Sequence, residues 1–87
     1  MPVAVAHPIP RKAESQAILA GITIRRRGPH VVEFSDYWDK TTLLSWKPAA
    51  GEVYEPDTGR RGRAGVIYTA LSKAKRIKLR RDNEHPE

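Results

Sequence analysis

The stretch "ITIRRRGPHVVEFSDYW", residues 22–38, contains two runs in which apolar residues recur at every second position. Ile22 and Ile24 alternate in the first run, and Val32 and Phe34 alternate in the second. A two-residue period is typical of strands with one buried face, and the Gly-Pro pair between the runs favours a turn. The stretch therefore predicts an antiparallel hairpin, and with it a fold built on a sheet.

The alternation continues downstream of this hairpin. In "TTLLSWK", residues 41–47, Leu44 and Trp46 share one face of a predicted strand, whereas Leu43 points to the other face. A Pro-Ala-Ala-Gly turn then leads into "EVYEP", residues 52–56, a short strand that ends at its proline because proline has no N–H for the ladder. We therefore predict an antiparallel meander of three to four strands.

The period changes after "PDTG", residues 56–59, which has the composition of a type I turn. Beyond an Arg- and Gly-rich loop, apolar residues recur at three- and four-residue spacing and predict a helix near residues 65–77 that covers one face of the meander. The apolar stripe of this helix consists of Ile67, Ala70, Leu71, Ala74 and Ile77. The predicted core consists of Ile22, Ile24, Val32, Phe34, Leu44, Trp46, Ile67, Leu71 and Ala74.

A short helix is predicted upstream of the hairpin, in "PRKAESQAILAG", residues 10–21. Its leading proline suits the first helical position, where no N–H is needed, and Gly21 suits the left-handed position after the last turn. We expect the Pro-rich residues 1–9 to form a flexible arm and the polar residues 82–87 a frayed tail. The expected architecture is one α+β domain over residues 10–81, with a short N-terminal helix, the meander, and a C-terminal helix packed on one face.

The size and composition of the chain limit what it can do. With 87 residues it can form one small core, and without cysteine it has no disulfide, thiolate zinc site or thiol nucleophile. No apolar run approaches the roughly 20 residues of a membrane-spanning helix. The opening "MPVAVAHPIPRK" places its positive charges after a proline-broken apolar run, unlike a signal peptide. We therefore expect a cytoplasmic protein that does not contact membranes.

The positive charge of the chain is concentrated in one segment. The net charge is +6, yet residues 60–81 contain nine Lys or Arg and no acidic residue, so this segment carries +9 and the remainder −3. Such polarity is typical of a surface that attracts an anionic partner. The basic residues of the segment are Arg60, Arg61, Arg63, Lys73, Lys75, Arg76, Lys78, Arg80 and Arg81.

The segment "GRRGRAG", residues 59–65, is the strongest functional signal. As a loop, its glycines would allow backbone N–H groups to approach a phosphate, and its arginines would donate bidentate hydrogen bonds. The N-terminus of the following helix also favours an anion. We therefore interpret this loop and the outward face of the helix as phosphate contacts. The alternative is a hinge loop whose glycines supply positive φ angles, followed by an ordinary solvated helix face.

Two other groups of side chains have open interpretations. Residues 25–27 are three arginines at the end of a strand, where neighbours point to opposite faces, so they either protect a sheet edge or add a phosphate contact. Aromatic side chains either stack on bases from an open sheet face or form the core. Trp46 shares the phase of Leu44 and is assigned to the core. The other aromatic residues considered for stacking are Tyr37, Trp38, Tyr54 and Tyr68.

Neither a metal site nor a catalytic constellation is indicated by the sequence. His7, His30 and His85 fall in the arm, a turn and the tail, without the paired spacing of metal ligands. The acidic residues are dispersed, and none lies between Asp57 and Asp82, so that neither a nuclease-type motif nor a general acid–base pair can be assembled. We therefore expect no cofactor and no enzymatic activity.

Two resemblances bear on the function. The segment "WKPAAGEVYEPDTGRRGRAGVIYTALSKAKR", residues 46–76, resembles a pattern in small uncharacterised proteins of phages and prophages. The predicted order of helix, strands and helix is similar to that of the double-stranded RNA-binding domain. In that family, side chains at the start of the second helix contact phosphates, a role that the resemblance assigns to Arg60, Arg61 and Arg63. The family's Lys-Lys-x-x-Ala-Lys run is replaced here by "RAGVIYTA".

The sequence thus predicts a non-enzymatic module that binds nucleic acid through its phosphates, with little base specificity. The nine basic residues of residues 60–81 are the predicted contacts. The alternative is a phage-type modulator that binds a host or viral protein and inhibits or redirects it, because a basic helix also fits an acidic protein groove.

Overall fold

In the computed structural model, which describes residues 8–84, two helices flank five strands along the chain. Residues 1–7 of the predicted arm and residues 85–87 of the predicted tail lie outside this range. The elements are α1 Arg11–Leu19, β1 Ile22–Arg26, β2 Val32–Asp36, β3 Thr42–Lys47, β4 Glu52–Glu55, β5 Arg60–Arg63 and α2 Ile67–Glu84. The predicted α+β fold class is therefore confirmed, with one strand more than expected.

The five strands form one antiparallel sheet in the order β1-β2-β3-β4-β5, so each strand pairs with its neighbour in sequence. The additional strand is β5, which we had predicted to be an Arg- and Gly-rich loop. After the turn at Gly59, whose φ is +76°, the chain returns along β4 and pairs Tyr54 with Arg61. An edge strand makes one ladder only, and charged side chains are common there, so β5 forms without apolar alternation.

Both helices pack against the sheet and against each other. α2 lies over β3 and β2, whereas α1 packs on β1 and also contacts α2. Ala13 and Ala17 of α1 are buried in the same core as the sheet residues. α1 begins at Arg11, one residue later than predicted, so Pro10 is its N-cap and not its first helical residue. Gly21 adopts the predicted left-handed conformation with a φ of +76°.

The predicted core is confirmed, with one residue at its margin. Ile24 is half-buried against the core, and the other eight predicted residues are buried. The indole Nε1 of Trp46 donates a hydrogen bond of 2.9 Å to the backbone oxygen of Ala64, which ties β3 to the link between β5 and α2. Ile9, which the sequence placed in the flexible arm, also packs against this core.

Leu43 was predicted to lie on the opposite face from Leu44, and this prediction was wrong. Phe34 pairs with Leu44 but Ser35 pairs with Thr42, so that Leu43 is an extra residue in β3. At a β-bulge two residues face one on the partner strand, and alternation is interrupted. Leu43 and Leu44 are therefore both buried on the α2 side of the sheet.

α2 is longer than predicted, since it contains 18 residues and extends to Glu84 through the first part of the predicted tail. Its buried residues are Ile67, Ala70, Leu71, Ala74 and Ile77, which is the stripe expected from the sequence. Within residues 8–84, neither helix combines the length and the apolar composition that spanning a bilayer requires.

Leu71→Ala is expected to destabilise the protein by about 2 to 5 kcal/mol, because it leaves a cavity in a small core where this side chain is 1% exposed. Leu79→Ala on the same helix is the matched control. Leu79 is 64% exposed, so its truncation should change the free energy of unfolding by less than about 0.5 kcal/mol. Chemical denaturation of both variants measures the difference. Equal stabilities would show that the assigned buried face of α2 is wrong.

Candidate nucleic-acid interface

The three arginines of β5 do not form the single loop patch that the sequence suggested. Because side chains alternate along a strand, Arg60 lies opposite Glu55 on the α2 side of the sheet. Arg61 and Arg63 lie on the other side, opposite Tyr54 and Glu52. The expectation that residues 60–63 form a loop was therefore wrong, and β5 instead distributes its charges over two surfaces that meet at the edge of the sheet.

The first surface is a groove beside α2. Because α2 lies over the centre of the sheet, the α2 side of β4 and β5 stays open as a cavity of about 270 Å³. Its floor includes Leu44 and Val53, and its walls are basic. The charged residues that line it are Arg60, Arg61, Lys73, Arg76, Arg80 and Glu55. We call this cavity the basic groove.

Gly62 shapes the floor of the basic groove. A Cβ atom at this position would lie 3.2 Å from Cγ2 of Val53 and 3.8 Å from Nζ of Lys73. The first of these distances is tighter than ordinary van der Waals contact. A residue without a side chain therefore avoids crowding Val53, at a point where the Lys73 ammonium also lies close to the edge strand.

One cation of the groove is already neutralised. The guanidinium of Arg80 pairs with the carboxylate of Glu55, which is buried at the end of β4. The hydrogen bond from this guanidinium to Glu55 raises the pKa of Arg80. Arg60, Lys73 and Arg76 form no ion pair within residues 8–84 and keep their charge available to a ligand.

The other predicted contacts on α2 have different roles. Nζ of Lys78 lies 2.8 Å from Oδ2 of Asp36, and a guanidinium nitrogen of Arg81 lies 3.3 Å from the same oxygen. The second guanidinium nitrogen of Arg81 lies 3.0 Å from Oδ2 of Asp39. We call these four residues the Asp36 clamp. The cations of the clamp hold α2 to the sheet. Lys75 is exposed and does not line the groove.

Both carboxylate oxygens of Asp36 accept hydrogen bonds. Its Oδ1 accepts from the backbone N–H groups of Trp38, at 2.8 Å, and Asp39, at 3.2 Å, while its Oδ2 faces the two cations of α2. Burial raises the pKa of this carboxyl, but the hydrogen bonds from Lys78 and the two N–H groups outweigh it, so the pKa of Asp36 is below its ordinary value. For Asp39, the backbone and hydroxyl of Thr41 and the guanidinium of Arg81 lower the pKa to about 2.

The second surface is the side of the sheet that faces away from both helices, which we call the open face. On it, the guanidinium carbon of Arg61 lies 5.7 Å from the ring centroid of Tyr54. A depression of about 180 Å³ lies beside this pair and is also lined by Ser45, Lys47 and Glu52. This arrangement combines an aromatic ring with basic groups in one shallow site.

The remaining aromatic and basic candidates lie elsewhere. Tyr37 and Trp38 pack edge-to-face with centroids 5.0 Å apart in the exposed β2–β3 turn. Within residues 25–27, Arg25 pairs across the ladder with Glu33, and Arg27 lies 4.0 Å from the same carboxylate. The arginines of β1 thus lie at the opposite edge of the sheet from β5.

Among residues 8–84, no three His, Asp or Glu side chains come together in a way that could hold a metal ion. His30 is exposed in the β1–β2 turn, whereas His7 and His85 lie outside the described residues. Two of the dispersed acids noted in the sequence form ion pairs with basic side chains. Asp36 and Glu55 are both buried and both paired with cations of α2. Sequence reasoning missed this pairing because the partners are 42 and 25 positions apart.

Acid is expected to loosen the Asp36 clamp. The folded-state pKa of Asp36 and of Asp39 is below the ordinary 3.8, so their ion pairs stabilise the fold fully above about pH 4. This contribution is lost as the pH falls through the folded-state values, which for Asp39 is about 2. The melting temperature should therefore fall as the pH is lowered from about 4 toward about 2.

Asp36→Asn tests the origin of that fall. This substitution leaves the Lys78 charge without its buried partner and should lower the free energy of unfolding by about 3 to 5 kcal/mol near neutral pH. The melting temperature of the variant should depend less on pH in the acid range than that of the parent. Glu14→Gln is the control, since Glu14 is exposed and forms no ion pair in the part of the chain that the structure describes. A variant Asp36→Asn as stable as the parent at neutral pH would contradict the clamp.

Comparison with known proteins does not assign this chain to a family. No protein-family model, curated protein or solved structure matches it. The resemblances to phage proteins and to the double-stranded RNA-binding domain therefore stay predictions. The functional interpretation depends on the two basic surfaces that meet at β5, the basic groove and the open face.

Proposed function

We propose that the protein is a non-enzymatic module that binds nucleic acid through its phosphates, along the edge of the sheet formed by β5. The observation that carries this proposal is the convergence of Arg60, Lys73 and Arg76 on the basic groove, each without an ion pair among the described residues. Arg61 and Arg63 extend the same basic surface around the edge of β5.

The distribution of ion pairs supports this choice of surface. Of the nine basic residues in residues 60–81, Lys78, Arg80 and Arg81 are paired with buried or partly buried acids. Five of the remaining six lie on β5 or line the groove, and the sixth is Lys75. Within residues 60–81, the positive charge that is available to a partner is thus concentrated at one edge of the sheet, where it can neutralise several successive phosphates.

The chemistry of these side chains favours phosphates over base edges. Long basic side chains around a shallow groove reach the sugar–phosphate backbone, which carries no sequence information. Each contact that neutralises a phosphate releases condensed counterion, so binding of this kind weakens steeply with salt. The protein is therefore proposed to bind unrelated sequences with similar affinities.

The triple variant Arg60→Ala, Lys73→Ala, Arg76→Ala is expected to weaken binding to all nucleic acids alike. The slope of log affinity against log salt should fall by about three units, because each lost phosphate contact contributes roughly 0.9 on a duplex. Fluorescence anisotropy with several unrelated duplexes and single strands at a series of salt concentrations measures this slope. None of the three side chains belongs to the buried core, so the fold should be retained.

The control variant Arg11→Ala, Lys12→Ala, Arg26→Ala removes the same number of charges from exposed positions on α1 and β1, at the other edge of the sheet. It should retain the parent slope. Equal losses in both variants would mean that net charge alone drives binding and would contradict a site at β5. Undetectable binding of the parent protein at low salt would overturn the nucleic-acid proposal.

One observation favours the alternative, a modulator that binds a host or viral protein. Leu19 and Trp38 are largely exposed, and they belong to adjacent segments because the N–H of Tyr37 donates a 2.8 Å hydrogen bond to the oxygen of Gly21. Exposed apolar side chains close together often mark protein interfaces.

Affinity purification with and without nuclease distinguishes the two functions. If the protein is a modulator, a protein partner should co-purify with it after nuclease treatment. This partner should no longer co-purify with Leu19→Ser or Trp38→Ser, but should still co-purify with the triple variant of the basic groove. Partners that disappear with nuclease favour the nucleic-acid proposal.

A further inference from the structure

We infer that the open face of the sheet binds single-stranded nucleic acid, with one base inserted beside Tyr54 while the phosphates follow β5. This inference rests on the proposed function and specifies its ligand. Within residues 8–84, neither α1 nor α2 covers this side of β3, β4 and β5. A flat face with an aromatic ring and flanking cations is the arrangement that base stacking requires.

The register of the sheet determines what surrounds Tyr54. Ser45 lies directly opposite it on β3, and Arg61 lies directly opposite it on β5. The serine is small and leaves space beside the ring, whereas the arginine extends over the ring at 5.7 Å from its centroid. Tyr54 thus has an open flank toward the centre of the sheet and a basic flank toward the edge.

The space beside Tyr54 is suited in size to a planar ring. The depression lined by Ser45, Lys47, Glu52, Tyr54 and Arg61 has a volume of about 180 Å³. Cavities of roughly 150 Å³ in other proteins admit benzene. A base in this depression would stack against the tyrosine, and its phosphate would lie toward the rim, where Lys47 and Arg61 are available.

The charges of the open face agree with this orientation. Across the ladder Glu52 lies between Lys47 and Arg63, and the two cations outnumber the acid. Arg63 and Arg61 are both exposed on the outermost strand. Phosphates are therefore favoured at the edge, and the carboxylate at the rim of the depression can accept a hydrogen bond from a base amino group.

A duplex cannot use this site. Its bases are stacked on one another and expose only their edges, so no π-face is available to Tyr54. A duplex would contact only the cations of β5 and the basic groove. The open face therefore predicts tighter binding to single strands than to duplexes of the same sequence.

Tyr54→Ala is expected to weaken binding to single strands by roughly 5- to 150-fold, which corresponds to the 1–3 kcal/mol of one base–aromatic stack. Its binding to duplexes and its salt slope should be unchanged, because no phosphate contact is removed. Tyr54→Phe retains the ring and should bind like the parent. Tyr68→Ala is the matched control, since Tyr68 on α2 is 38% exposed against 41% for Tyr54.

The measurement is fluorescence anisotropy with oligo-dT, oligo-U, an abasic strand of the same length, and a duplex. Circular dichroism of each variant verifies its fold. The parent should bind both base-containing strands more tightly than the abasic strand.

Two results would overturn the inference alone. They are equal affinity of the parent for the abasic and base-containing strands, and unchanged single-strand binding by Tyr54→Ala. Either result leaves phosphate binding at β5 in place, whereas no binding of the parent to any strand or duplex would overturn the proposed function as well. Because the abasic comparison uses the parent protein, the inference is tested even if Tyr54→Ala does not fold.

Discussion

The buried ion pair between Asp36 and Lys78 is the interaction on which the arrangement of this protein depends. The two groups lie 2.8 Å apart, with side chains only 6% and 13% exposed, at the point where the end of β2 meets the C-terminal half of α2. Removing Asp36 would leave the ammonium of Lys78 with only the exposed carboxylate of Asp82, at 3.7 Å, and the cost of breaking a buried pair is larger than its net value. The Asp36 carboxylate also accepts two backbone N–H groups of the β2–β3 turn. One side chain therefore fixes the turn, the strand end and the helix together.

The position of α2 in turn divides its basic residues into two populations. On the side toward β2, Lys78 and Arg81 are held by Asp36 and Asp39, and farther along the sheet Arg80 is held by Glu55. The charges of these three cations are thus engaged by acidic side chains of the protein itself. Because α2 lies over β3 and leaves β5 uncovered, Lys73 and Arg76 instead line the basic groove with Arg60. In three dimensions, some cations of this basic helix anchor it to the sheet, and others line the basic groove.

The edge strand β5 combines two requirements in four residues. An exposed edge with unpaired backbone groups invites pairing with other chains, and charged side chains oppose this. The arginines of β5 meet that need, and their alternation also supplies cations to both surfaces of the sheet. The packing of β5 on β4 also depends on Gly62, since a Cβ atom at this position would press on Val53. The same arginines therefore protect the edge of the sheet and supply the cations on which the proposed phosphate binding depends.

The sequence alone determined the α+β class, the meander, the buried stripe of α2 and more than half of the core, because these follow from local periodicity and from residues such as Gly21 whose conformation is set by the backbone. It also located the excess of positive charge. Only the tertiary structure decided that residues 60–63 form a strand, since a charged edge strand lacks the apolar alternation that marks a half-buried one. Only the tertiary structure placed Leu43 beside Leu44, through a bulge with no sequence signal. It alone separated the cations that pair with Asp36 and Glu55 from those that line the groove. Ion pairing depends on distances between residues far apart in the chain, and no local pattern encodes those distances.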